Sequence, residues 1–128
     1  MGEPKPDVQQ ERAACPLYTA IGVIEGRWKP MLCQRLARGT SGFGELHRAM
    51  PGISRKVLIE QLRQMECDDL VVRHETGDRL GSVEYGLTAH GESLMPVFEV
   101  LWRWGTAHLA RPGAGRGTMV APPETAAP

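Results

Sequence analysis

Two adjacent cations follow a serine in Gly52-Ile53-Ser54-Arg55-Lys56-Val57-Leu58, and an apolar-faced segment runs on from them. Ser54 is a good helix N-cap, so Arg55 and Lys56 fall in the first turn of a helix. The free N–H groups and the dipole at such an end favour phosphate oxygens. Arg55 can also present its planar fork to a guanine edge. One turn on, Ile59 suits a thymine methyl, Glu60 suits a cytosine amine, and Arg63 suits a backbone phosphate. Lys29, at the start of an earlier helix, and Ser41, in a turn, are further phosphate candidates. Arg79, at a hairpin tip, suits a minor groove or its phosphates. The plain alternative for each is an ordinary solvated side chain.

Cys15 carries a second kind of chemistry. It stands directly before Pro16, at the start of a helix. The dipole there is expected to draw its pKa below the free value of ~8.5, with Arg12 upstream helping. A thiolate so favoured attacks electrophiles and peroxides; the alternative is a small packed residue. Cys33 and Cys67 fall within helices and are predicted to pack. The three cysteines form no CxxC pair and have no histidine at ligand spacing, so no metal site is expected. His47, His74, His90 and His108 are scattered, and no Ser-His-Asp pattern or acid/base pair with a cleft is visible. The reading is a non-enzyme without a cofactor. Trp28, Trp102 and Trp104 are either interface anchors or the lining of an effector pocket.

The elements that must position these groups follow from periodicity. Pro16 suits a first helical position, Leu17, Ala20, Ile21 and Ile24 recur at helical spacing, and Gly26 closes the helix. A second helix starts near Trp28-Lys29-Pro30, shows Met31, Leu32, Leu36 and Ala37 on one face, and stops at Gly39. Thr40-Ser41-Gly42 reads as a turn. Phe43, Leu46 and Met50 mark a short third helix that Pro51-Gly52 ends. In the fourth, Leu58, Leu62 and Met65 share one face, and Arg55, Lys56, Ile59, Glu60 and Arg63 share the other. Residues 71–76 and 82–88 read as two strands around a turn-rich tip at 77–81. Thr88 then caps one long last helix with Leu94, Val97, Phe98, Leu101, Trp102, Trp104 and Leu109 as its apolar positions. The fold class is mainly α with a small β-hairpin: a helix-turn-helix with a wing. The terminal helices, with wide apolar faces, are predicted to form a homodimer.

Residues 1–14 are predicted to be a flexible arm, 15–111 the single domain and 112–128 a disordered tail too poor in large apolar groups to pack. With 15 basic and 15 acidic residues the chain is neutral overall, which excludes a bulk polycation but not a local DNA-binding face. No apolar run approaches the ~20 residues that span a bilayer. The first residues lack the basic and apolar regions of a signal peptide, so no membrane partner and a cytoplasmic location are expected.

Several runs carry a resemblance: Cys15-Pro16-Leu17, Ile24-Glu25-Gly26-Arg27-Trp28, Phe43-Gly44-Glu45-Leu46, Pro51-Gly52-Ile53-Ser54, Val57-Leu58 with Leu62-Arg63, and Val83-Glu84-Tyr85-Gly86-Leu87-Thr88 with Gly91. In this order they resemble the HxlR-type winged-helix transcriptional regulators, relatives of the MarR group. The chain departs from the family pattern at Gly81-Ser82, where Pro-Arg is common, and at Asp69, where Gly is common. That position often needs a left-handed backbone, which Asp tolerates better than most residues. The resemblance implies a dimeric DNA-binding regulator of bacterial type; two-fold symmetry then calls for a pseudo-palindromic double-stranded operator, on which the homodimer occludes polymerase as a repressor or else recruits it. It also implies that Cys15 is redox- or electrophile-sensing, as a cysteine at this place is in several family members. A protein-interaction module, or a regulator taking a small-molecule effector at the dimer helices, is the competing reading.

Overall fold

The structure, a computed structural model, describes residues 15–76 and 82–113. The expected arm and most of the expected tail lie outside the described residues, as do the hairpin tip and Arg79. Helices α1 (Pro16–Ile24), α2 (Trp28–Leu36), α3 (Phe43–Ala49) and α4 (Arg55–Cys67) come first, with a short strand β1 (Ser41–Gly42) ahead of α3. Strands β2 (Val71–Glu75) and β3 (Val83–Leu87) follow, then α5 (Ala89–Glu92) and α6 (Met95–Leu109). This is a mostly helical winged helix-turn-helix with a small antiparallel sheet of order β1-β3-β2.

The buried core is assembled from one face of each central element. Leu32, Cys33 and Leu36 come from α2, Leu46 from α3, and Leu58, Leu62 and Met65 from α4. Met50, Ile53, Leu70, Val71, Tyr85 and Phe98 complete it. The spacing i, i+4, i+7 in α4 puts three side chains on one stripe, and all three are at most 1% exposed. Each contributes about 1.5–3 kcal/mol by leaving water, which fixes which side of α4 faces out.

The end of α4 is set by backbone geometry. Asp69 has φ +59°, the left-handed conformation its position requires. The Leu70 N–H donates to the Met65 carbonyl at 2.9 Å and the Asp69 N–H to the Glu66 carbonyl at 3.0 Å, a Schellman closure. Thr88 ties the far strand to this turn. Its hydroxyl donates to the Asp69 carbonyl at 2.5 Å and accepts from the Gly91 N–H at 2.9 Å. Its own N–H donates to the Leu70 carbonyl at 3.0 Å. The hairpin is therefore clamped to the end of α4 through backbone groups.

Two elements differ from the sequence reading. Ser41-Gly42, expected as part of a turn, pairs with Tyr85 and Glu84 and makes the sheet three-stranded. The long last helix is two helices. Thr88 caps α5, which ends at Glu92, and α6 restarts with Pro96 in its first turn. Pro96 has no N–H to give to the Glu92 carbonyl, so the helical ladder breaks there.

Candidate nucleic-acid interface

The turn between α3 and α4 is held by its own residues. Gly52 takes φ +88°, which an L side chain rarely adopts. Ile53 is buried, and its N–H donates to the Met50 carbonyl at 3.2 Å. Its carbonyl accepts from the Nε2–H of His47 at 3.0 Å. Ser54 caps α4, its hydroxyl accepting from the Val57 N–H at 3.1 Å. The first turn of the helix then carries Arg55 and Lys56 and no acidic residue.

Ser54, Arg55, Lys56, Ile59, Glu60 and Arg63 are all exposed. They share the side of α4 opposite Leu58, Leu62 and Met65, as the periodicity requires. Beside them α3, α4 and the sheet border an open groove of about 960 Å³. Arg55 and Arg63 line it together with Arg48 of α3 and Arg73 of β2, so four arginines border one concavity. Glu45, Glu66 and Glu84 also line it, which confines the positive field to the arginine positions. The arrangement offers cations to a polyanion along a channel and side chains to base edges from a protruding helix.

Arg48 and Arg73 were not singled out in the sequence. Arg48 sits in the last turn of α3. Arg73 lies across from Tyr85 on the strand ladder. Their approach to α4 depends on tertiary packing, although both are exposed cations next to elements that the sequence does reveal. His47 was read as a scattered histidine, yet it braces the turn; its i, i+4 relation to Phe43 was the available signal, and the two rings stack.

Two phosphate candidates are corrected. Lys29 is 6% exposed and Ser41 is 2% exposed. Lys29 falls at i relative to Leu32, Cys33 and Leu36 at i+3, i+4 and i+7, so its stem lies along the core face of α2. Ser41 is drawn inward by pairing with Tyr85. Neither side chain presents itself to a duplex.

The thiols separate by exposure. Cys15 is exposed at the N-cap of α1. Cys33 is buried, as expected, and burial pushes its thiol up to about 11. Cys67 was predicted to pack, but it is exposed as the last residue of α4, on a turn of the helix that the core stripe does not reach. A short alkylation pulse on the native protein is therefore expected to label Cys15 and Cys67 and spare Cys33 until the chain is unfolded. Peptide mass spectrometry checks this, and early labelling of Cys33 would contradict it.

Trp102 and Trp104 are both exposed on α6, and Trp104 stacks on His108 at 5.0 Å. Trp28 is half-buried under the Arg27 guanidinium at 4.7 Å. Among the described residues no cluster of three His, Cys, Asp or Glu could hold a metal ion, and no helix is long and apolar enough to cross a membrane.

Comparison with known proteins matches this geometry. The model of the HxlR-like helix-turn-helix family matches residues 23–112. The chain is 37% identical over 104 residues to YtcD, an HTH-type transcriptional regulator of Bacillus subtilis, covering 81% of this chain and 82% of that one. Among solved structures it is similar to the redox regulator HypR in its reduced form, with a TM-score of 0.68 and 32% identity over 75% of this chain and 95% of that one. It is also similar to quinone-bound YodB of B. subtilis, with a TM-score of 0.64 and 30% identity over 73% of this chain and 98% of that one. Family and relatives are transcriptional regulators and not enzymes. The chain belongs to the HxlR-like helix-turn-helix family and is a DNA-binding transcriptional regulator.

Proposed function

We infer that the protein is a homodimeric, cytoplasmic repressor that reads a pseudo-palindromic operator with α4. The observation that carries this reading is the exposed, cationic first turn of α4, held outward by the Ser54 cap and the buried stripe beneath it. Arg55 and Lys56 meet the duplex first, Ser54, Ile59 and Glu60 complete the reading face, and Arg63 meets phosphate. Arg48 and Arg73 extend the phosphate track along the groove, and Arg79, outside the described residues, is assigned to the flanking minor groove or its phosphates.

The exposed faces of the terminal helices support a dimer. Leu17 and Ile21 of α1 and Val100, Leu101, Trp104 and Leu109 of α6 are 48–70% exposed. So much apolar surface on helix faces marks an interaction site. A two-fold pair then sets two copies of α4 about 34–36 Å apart, one turn of DNA. Repression is steric: the bound dimer covers promoter sequence that polymerase needs.

Cys15 supplies the signal in this reading. It is exposed at the start of α1, the helix whose apolar face serves the dimer. Oxidation or addition of an electrophile there alters the dimer helices and so the spacing of the two α4 copies. The likeness to the redox regulator HypR and to quinone-bound YodB supports this choice of signal.

The test is selection of bound DNA from a random pool, with reduced and oxidised protein. Reduced protein is expected to select two inverted half-sites about one turn apart, with affinity that falls steeply as salt rises. A lone half-site contradicts the dimer, and no salt-dependent retention contradicts DNA reading. Release of operator by oxidant that persists in Cys15→Ser contradicts the signal.

A further inference from the structure

We propose that Phe43 and His47 are positioning residues for base reading: their stacked rings hold the Arg55 guanidinium in the orientation a guanine edge requires. This deepens the DNA-reading assignment above and rests on it.

Phe43 joins the other two side chains, each in contact with its ring. The Arg55 Cζ lies 5.0 Å from the centroid of the Phe43 ring. The Phe43 and His47 rings are 6.4 Å apart between centroids and only 4° from parallel. His47 is in turn fixed by its hydrogen bond to the carbonyl of buried Ile53. Phe43 is half-buried and packs against the core, so the platform is tied both to α3 and to the entry of α4.

Arg55 itself is exposed. An arginine in water samples many rotamers, and a base contact must order it. A phosphate contact needs only a nearby charge. A bidentate guanine contact needs the planar fork held at a fixed angle. An aromatic face under the guanidinium supplies that angle before DNA arrives, through attraction between the cation and the ring quadrupole. The platform therefore bears on discrimination between sequences rather than on general affinity. It also gives Phe43 and His47 a role beyond packing, because a half-buried ring tied to the core carries a solvent-exposed cation.

Phe43→Leu keeps apolar bulk and removes the ring. Affinity for the selected operator is expected to fall about 2- to 5-fold, with affinity for random DNA and its salt slope unchanged, since no charge is lost. Phe43→Tyr is expected to retain the operator affinity. In an Arg55→Lys background, where the fork is already absent, Phe43→Leu is expected to add no further loss of operator affinity. In the free protein, the Arg55 side-chain protons are expected to show upfield ring-current shifts that survive Phe43→Tyr and vanish in Phe43→Leu.

An equal fall on operator and random DNA, an undiminished effect of Phe43→Leu in the Arg55→Lys background, or loss of operator affinity in Phe43→Tyr would overturn the positioning role. So would the absence of ring-current shifts in the unmodified protein, a measurement that needs neither DNA nor a variant. If Arg55→Ala leaves operator affinity intact, the DNA-reading assignment of Arg55 itself fails, and that result is distinct from each of these.

Discussion

Gly91→Ala is expected to lower the melting temperature by roughly 10–20 °C, a loss of about 2–3 kcal/mol for a domain of this size. An ordinary glycine within a helix would give the opposite sign, because alanine is the better helix former by ~1 kcal/mol. Gly91 is different because a Cβ there would lie 2.2 Å from the carbonyl oxygen of Leu70 and 3.0 Å from its carbon. Both atoms are backbone, so no rotamer change relieves the overlap. The same carbonyl accepts from the Thr88 N–H, and the Gly91 N–H donates to the Thr88 hydroxyl. Moving α5 away would break the clamp that holds the hairpin to the end of α4. Gly105→Ala in α6 is the control. Nothing lies within 4 Å of a Cβ there, and no loss of that size is expected. Differential scanning calorimetry of the two variants checks the pair, and a melting temperature for Gly91→Ala equal to that of Gly105→Ala would refute the packing account.

The double substitution Arg55→Ala, Lys56→Ala is expected to separate stability from binding. Each side chain is exposed, and neither belongs to the core. Both stand at the positive end of the α4 dipole with no acidic residue in that turn. Cations there are unfavourable by about 0.3–1 kcal/mol each, and the contact of Arg55 with the Phe43 ring returns about 0.5–1 kcal/mol, so removal of the pair is expected to leave stability about equal. Operator affinity is expected to fall. A base-reading arginine contributes about 1–3 kcal/mol of discrimination, and a phosphate contact adds close to one to the salt slope. For the dimer proposed above, with two copies of α4 on one operator, the loss is expected to be on the order of 100-fold or more.

The frame was legible where chemistry is local. The Leu58, Leu62, Met65 stripe and the Ser54 cap follow from spacing and residue type, the left-handed turn at Asp69 is what the resemblance implies, and the structure places all three so. The exposure of Arg55, Lys56, Ile59, Glu60 and Arg63 then follows from the stripe alone. The illegible parts depend on distant partners. A strand of two residues, Ser41–Gly42, has no alternation to detect and exists only because β3 lies beside it. The helix start at Lys29 suggests a phosphate contact, but Leu32, Cys33 and Leu36 place it on the buried face of α2. The break before α6 was available in Pro96, whose apolar neighbours concealed it. Arg48 and Arg73 reach the groove only once α3, α4 and β2 have packed, so no pattern in the chain announces them.

The central claim is that the wet, cationic face of α4 meets a duplex. Its most direct test is the operator affinity of the reduced protein and of its Arg55→Ala, Lys56→Ala form, titrated side by side across a salt series. The account expects the variant to fold as before, bind far more weakly and show a shallower dependence on salt. Superimposable curves for the two proteins would contradict it.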